Sequence, residues 1–208
     1  MTLAPTYFYP NRMGRIVLLA MDEILGQAGV KTVLSSAHLA DVFASQLPDN
    51  QDLKFPFEHL SGLQVGLESA YGSTTGRGLA MRVGRDCFRY GLRAFGTELG
   101  LSDLSFRLLP LPAKLKVGTV AFAGLFNTFT DQRVRLEWGE NLIYWHIERC
   151  PVCWERHSDA PCCHLAVGLL QEALYWVSGG KNFEVQEEKC IACGDSACTI
   201  VINQTPLG

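Results

Sequence analysis

The sequence predicts a mixed α/β domain, with a helical N-terminal half packed on a C-terminal antiparallel ββαββ unit. Three observations predict it. Apolar residues recur at helical spacing from Arg12 to about residue 130. At Gln132 the period falls to two, the spacing of a half-buried strand. A single long apolar run then separates two pairs of such strands.

Arg12–Gln27 opens the helical half, with Ile16, Leu18, Leu19, Met21, Ile24 and Leu25 as its apolar positions. Phe57–Ala70 and Leu79–Phe95 continue the pattern, punctuated by Gly72 and Gly76, and Pro110 with Pro112 ends the segment after Leu101. Leu115–Phe129 is a further helix-length stretch. In Arg133–Trp138, Val134, Leu136 and Trp138 alternate with Arg133, Arg135 and Glu137. In Leu142–Glu148, Ile143, Trp145 and Ile147 alternate with Tyr144, His146 and Glu148. The short Gly139-Glu140-Asn141 link makes these two runs a β-hairpin. Cys163–Val177 predicts a long helix stopped by Ser178-Gly179-Gly180. Asn182–Lys189 and Ala197–Asn203 predict two closing strands.

The 208 residues are 48% hydrophobic and 19% charged, with a formal net charge of −3. That composition excludes a disordered chain. It also leaves no global basic field to hold nucleic acid. No apolar run approaches the roughly 18 residues of a membrane span. Met1–Arg12 lacks the charged start and apolar stretch of a signal peptide, so a cytoplasmic protein is expected.

Seven of the eight cysteines lie between Cys150 and Cys198, and only Cys87 lies outside. Reduced thiols at CxxC spacing bind metal or do redox chemistry more often than they form structural disulfides. Cys150–Cys153 and Cys190–Cys193 form two CxxC pairs, the ligand pattern of a zinc ribbon, and Cys162 adjoins Cys163. Packed thiols without metal remain the alternative, because free cysteine is commonly buried as a small hydrophobe. His157 and His164 lie within the same region as reserve ligands.

Several motifs in this region resemble one family. They are Cys150-Pro151-Val152-Cys153, a Cys163 five residues before Gly168, Glu187 three before Cys190, and Gly194-Asp195 before Cys198. Together they resemble the 4-vinyl reductase domain family, which includes hydrocarbon-binding proteins and phenol-sensing domains. The likeness extends through Tyr71-Gly72, Arg77-Gly78 and Gly84-Arg85, over about residues 60–203. The resemblance implies an N-terminal helical extension over 1–60 and a ligand-binding domain over 61–208, forming one unit. It implies the NO-signalling and Golgi-transport type of ligand-binding fold, related to trafficking-complex subunits, and a homodimer. It further implies a structural zinc on Cys163, Glu187, Cys190 and Cys198, with Cys150, Cys153, Cys162 and Cys193 in reserve. Three thiolates and a carboxylate satisfy tetrahedral zinc. On a regular strand Glu188, not Glu187, shares a face with Cys190, so Glu187 needs a bulge to reach the same ion.

The function expected is binding of a small hydrophobic or aromatic molecule, as sensor or carrier. Trp138, Trp145, Phe183, Phe88 and Phe126 would supply apolar walls, and Tyr144 or His146 a polar contact. One alternative is an enzyme or accessory protein in reduction of a tetrapyrrole vinyl group on a chlorophyll precursor. No nicotinamide or flavin motif supports that reading, and no residue is assigned a catalytic role. The other alternative is a structural adaptor with an acyl-filled or closed pocket. Arg82, Arg85, Arg89 and Arg93 form one basic helix face, read first as solvated and otherwise as a cradle for an acidic group.

Overall fold

The structure, a computed structural model, describes residues 6–99 and 104–208. It has mixed α/β architecture with antiparallel sheets. The first helix, α1 (Asn11–Ser36), starts after Pro10 and is broken at Gly26, whose φ of 68° only glycine adopts without strain. It is flanked by two short strands the sequence did not announce, β1 (Phe8–Pro10) and β2 (Leu53–Pro56), which pair antiparallel. Then come α2 (Phe57–Tyr71) and α3 (Ser73–Leu99). The helix α3 begins six residues earlier than its apolar period, because Gly76 sits against the backbone of Glu68 and continues the helix where it was read as a break. Leu101 lies outside the described residues. A short α4 (Leu104–Arg107) leads to α5 (Leu111–Phe129), which has proline in its first turn.

The second half supplies β3 (Arg133–Trp138), β4 (Leu142–Arg149), α6 (His164–Ser178), β5 (Phe183–Lys189) and β6 (Cys198–Pro206), with a 3-10 turn at Ile191–Cys193. The sheet order is β3-β4-β6-β5, all antiparallel. The Gly139 amide closes the hairpin on the Leu142 carbonyl at 2.9 Å. Asn127 joins α5 to the sheet: its side-chain amide donates to the Val134 carbonyl, and its Oδ1 accepts from the Val134 amide, both at 2.8 Å.

The helices α5 and α6 cover one sheet face, and α3 packs on α6 with α1 and α2 against it. The crossing of α3 and α6 is unusually close. A Cβ on Gly84 would stand 2.1 Å from the Leu165 carbonyl oxygen, and one on Gly168 would stand 2.0 Å from that of Met81. Two backbones touch here because neither glycine carries a side chain. One continuous core runs from Tyr9 to Ile202.

Candidate functional site

An apolar cavity of about 90 Å³ lies where the helices meet the sheet. Its wall takes Met13, Ile16 and Val17 from α1, Cys87, Phe88 and Phe95 from α3, and Phe122 and Phe126 from α5. From the sheet come Trp145 and Ile147, and from α6 Leu165, Ala166 and Leu170. Strand alternation sends Ile143, Trp145 and Ile147 of β4 inward, and Trp145 is 1% exposed. Its ring meets Phe126 edge-on at 6.4 Å and Phe122 at a tilt at 5.8 Å.

Polar groups on this wall are few and neutral. The Tyr9 hydroxyl donates to Gln132 Oε1, and both residues are buried. Burial, reinforced by Cys150 and Cys87, holds the Tyr9 hydroxyl well above its ordinary pKa. Burial likewise pushes the Cys87 thiol up, with Asp86 adding to the effect.

Of the seven residues expected to line a pocket, Trp145, Phe88 and Phe126 do so. Trp138 sits on the same sheet face at the end of β3, but it is 39% exposed, with the Lys116 ammonium 5.9 Å over its ring. Tyr144 and His146 point to the opposite face and stack at 6.2 Å. There His146 bonds Thr199 Oγ1 at 3.0 Å and the Glu137 carboxylate at 3.2 Å. Phe183 is buried on β5, off the cavity wall. Sequence reasoning missed Tyr9 and Gln132, which lie outside any periodic run.

Beside the cavity, six buried cysteines crowd together: Cys150, Cys153, Cys162, Cys163, Cys190 and Cys198. Their Sγ atoms approach at 3.3 Å (Cys153–Cys198), 3.6 Å (Cys150–Cys163) and 3.7 Å (Cys163–Cys198). Cys190 lies 3.8 Å from each of Cys162, Cys163 and Cys198. The ladder between β5 and β6 slips between Glu187 and Lys189, and Glu187 turns inward with its Oε2 accepting the Cys163 amide at 2.6 Å. Burial, then the charge of Cys190, pushes the Glu187 carboxyl up to about 8. Cys163, Glu187, Cys190 and Cys198 thus have ligand atoms within 4.8 Å of one another, and so do Cys150, Cys153, Cys163 and Cys198. The two-CxxC quartet is not assembled, because Cys193 faces solvent. His157 is exposed, and His164 Nε2 is buried with no partner.

The arginine face is partly tied down. Arg85 bonds Gln171 at 2.7 Å, Arg89 pairs with Asp86 and with Glu172 at 3.5 Å, and Arg93 lies over the Tyr90 ring.

No protein-family profile matches the chain, and no curated protein does. Solved structures do. An H-NOX protein from S. oneidensis, in its Fe(II)NO ligation state, is 12% identical, with a TM-score of 0.57 over 93% of this chain and 99% of that one. An Fe(II) unliganded H-NOX protein from K. algicida is 11% identical, with a TM-score of 0.57 over 96% and 97%. The fold is H-NOX-like. The phenol-responsive sensory domain of the activator PoxR also aligns, 20% identical over 70% of this chain and 72% of that one, but its TM-score of 0.47 is too low to establish a shared fold.

Two expectations are thereby corrected. The resemblance to the 4-vinyl reductase family and to trafficking subunits does not hold, since no family profile matches and the shared fold is that of H-NOX proteins. Zinc as the cofactor falls with the resemblance that implied it, because the fold neighbours are Fe(II) proteins of a heme-binding family.

Heme does not fit this cavity either. A porphyrin is far larger than a cavity of about 90 Å³. Among the described residues, no histidine lines the wall to ligate iron, and no lysine or arginine lines it to meet propionates.

Proposed function

We propose that this chain is a small-molecule-sensing domain whose ligand is small, uncharged and mostly apolar. The observation that carries the reading is the cavity among Trp145, Phe88, Phe122 and Phe126, aromatic on several sides, with one neutral polar pair at Tyr9 and Gln132. Apolar walls with a few placed polar groups are the usual form of a ligand pocket. A charged ligand would lose its hydration there without gaining a counter-ion. Residues 1–60 and 61–208 act as one unit in this reading, since Met13, Ile16 and Val17 supply part of the wall.

Thermal melts with benzene, toluene, phenol and hemin test the proposal. A one-ring compound at a hundredfold excess over its Kd should stabilise the folded state by about 2.7 kcal/mol. That corresponds to a rise of roughly 5–11 °C for a chain of this size. Hemin should give no rise and no ligated absorbance band. Ala166→Leu, which places side-chain volume in the cavity, should abolish the response. If no one-ring compound raises the melting temperature, or if Ala166→Leu leaves the rise intact, the cavity is not a ligand site.

A further inference from the structure

Where α2 meets the segment joining β4 to α6, several buried polar atoms go unsatisfied by the fold. Ser61 Oγ donates to the Trp154 carbonyl at 2.7 Å, and further along α2 Glu68 accepts from Arg156. Gln64 lies between them on the same helix face and is 1% exposed. Neither its Oε1 nor its Nε2 has a hydrogen-bond partner among the described residues, and Trp154 Nε1 has none.

Arg156 Nη1, Arg77 Nε and His164 Nε2 are buried without partners in the same way. Arg156 Nη2 alone meets both Glu68 oxygens, each at 3.1 Å, in place of the two-pronged pairing a guanidinium can make. Its Nη1 is thereby left over, although the side chain is only 10% exposed. Arg77 follows Gly76, where an added Cβ would stand 2.7 Å from the Glu68 Cα, so α3 starts against the end of α2. The charges of Arg77, Glu68 and Arg156 all act on His164, the first residue of α6. Donors from four elements thus gather around one carboxylate. A buried donor without an acceptor costs free energy, and a group of them in one place calls for a ligand that supplies acceptors.

We infer that the junction of α2, α3 and α6 binds the carboxylate of a small monoanion, with Arg77 and Arg156 as its charged donors and His164, Trp154 and Gln64 completing the set. Two guanidiniums against the Glu68 carboxylate leave one positive charge, which a monoanion offsets and a dianion reverses. The two oxygens of a carboxylate accept about four hydrogen bonds, so one ion can serve donors from several elements. The site is separate from the apolar cavity, whose wall includes none of these residues.

The test titrates the full-length chain with sodium acetate against sodium chloride at equal ionic strength, with acetamide as the neutral isostere. Acetate should raise the melting temperature saturably, and acetamide should not. In 15N spectra of the wild type, the Trp154 indole N–H resonance should move along the same saturation curve. Arg156→Gln and Arg77→Gln should each weaken acetate binding by about tenfold or more. Arg82→Gln, at an exposed position of α3, should leave it unchanged. Inorganic phosphate should bind more weakly than acetate. The wild-type titrations carry the decision even if a variant misfolds. No saturable response to acetate, an equal response to acetamide, or an unmoved Trp154 resonance overturns the inference, as does phosphate binding more tightly than acetate.

Discussion

The Tyr9 hydroxyl donates a hydrogen bond to Gln132 Oε1 across 123 positions of chain, and the pair is the polar point of an otherwise apolar wall. It ties β1 to the residue just before β3. Phe8 adds a second tie, since its amide donates to Asp131 Oδ2 at 2.9 Å.

Tyr9→Phe strands the Gln132 carbonyl in the core and should cost about 1–3 kcal/mol. Adding Gln132→Leu removes the stranded group, so the double variant should recover much of that loss. Chemical denaturation of the three variants checks this through the sign of the coupling between the sites.

Trp145→Ala should destabilise by about 3–5 kcal/mol, the cost of emptying a large aromatic site. The same change enlarges the cavity beside Phe122 and Phe126, so bicyclic aromatics that the parent rejects should stabilise the variant. Melting curves with naphthalene and with benzene, on parent and variant, measure both effects.

The helical and strand periods were legible because each rests on many residues. The hairpin was read at 133–138 and 142–148, and its strands run over Arg133–Trp138 and Leu142–Arg149. β1 and β2 were not legible, since three or four residues ending in proline are too few to show a period. Period also gives faces without saying how far cover extends along them. Trp138 pairs in register with Ile143, which is fully buried, yet it projects past the helices that cover Trp145. Tyr144 and His146 could reach the pocket only if the hairpin twisted, and strand alternation holds them on the other face. Glu187 follows Phe183 and Val185 on the inward face, and the slip after it that brings Cys190 onto the same face was legible as a need, because Glu187 and Cys190 cannot share a face of a regular strand.

Gly84→Ala and Gly168→Ala each push a methyl into the backbone of the facing helix and should cost at least about 1–3 kcal/mol. Gly78→Ala in α3 and Gly124→Ala in α5 meet nothing within 4 Å and should stabilise by roughly 0.5–1 kcal/mol. Opposite signs from one substitution type at four helical sites, read by denaturant midpoints, isolate the close crossing as the cause.

His59 packs edge-on to Phe43 at 5.4 Å and to Phe55 at 5.9 Å, and burial lowers its pKa against a smaller raising effect from Glu58. A pKa lower in the folded than in the unfolded state gives stability that is present above the unfolded value of 6.5 and lost as pH falls through the folded one. His59 should therefore contribute a drop in melting temperature between pH 7.5 and pH 5, read as the difference in slope between the parent and His59→Phe. Equal slopes in parent and variant would assign the pH dependence elsewhere.

The contact of Gly84 with Leu165 and of Gly168 with Met81 is backbone on backbone, with no layer of side chains between to yield. The pair α3 and α6 therefore moves as one rigid body, and the cavity can widen only by displacing its other walls. On the α1 side the chain has a joint ready. Gly26 interrupts the helix at φ 68°, nine residues beyond Val17, so Asn11–Leu25 can tilt as a lever while the rest of α1 stays seated on α2. In the proposed sensing role, the amplitude of that tilt, and not a change within the α3–α6 pair, would be the mechanical output.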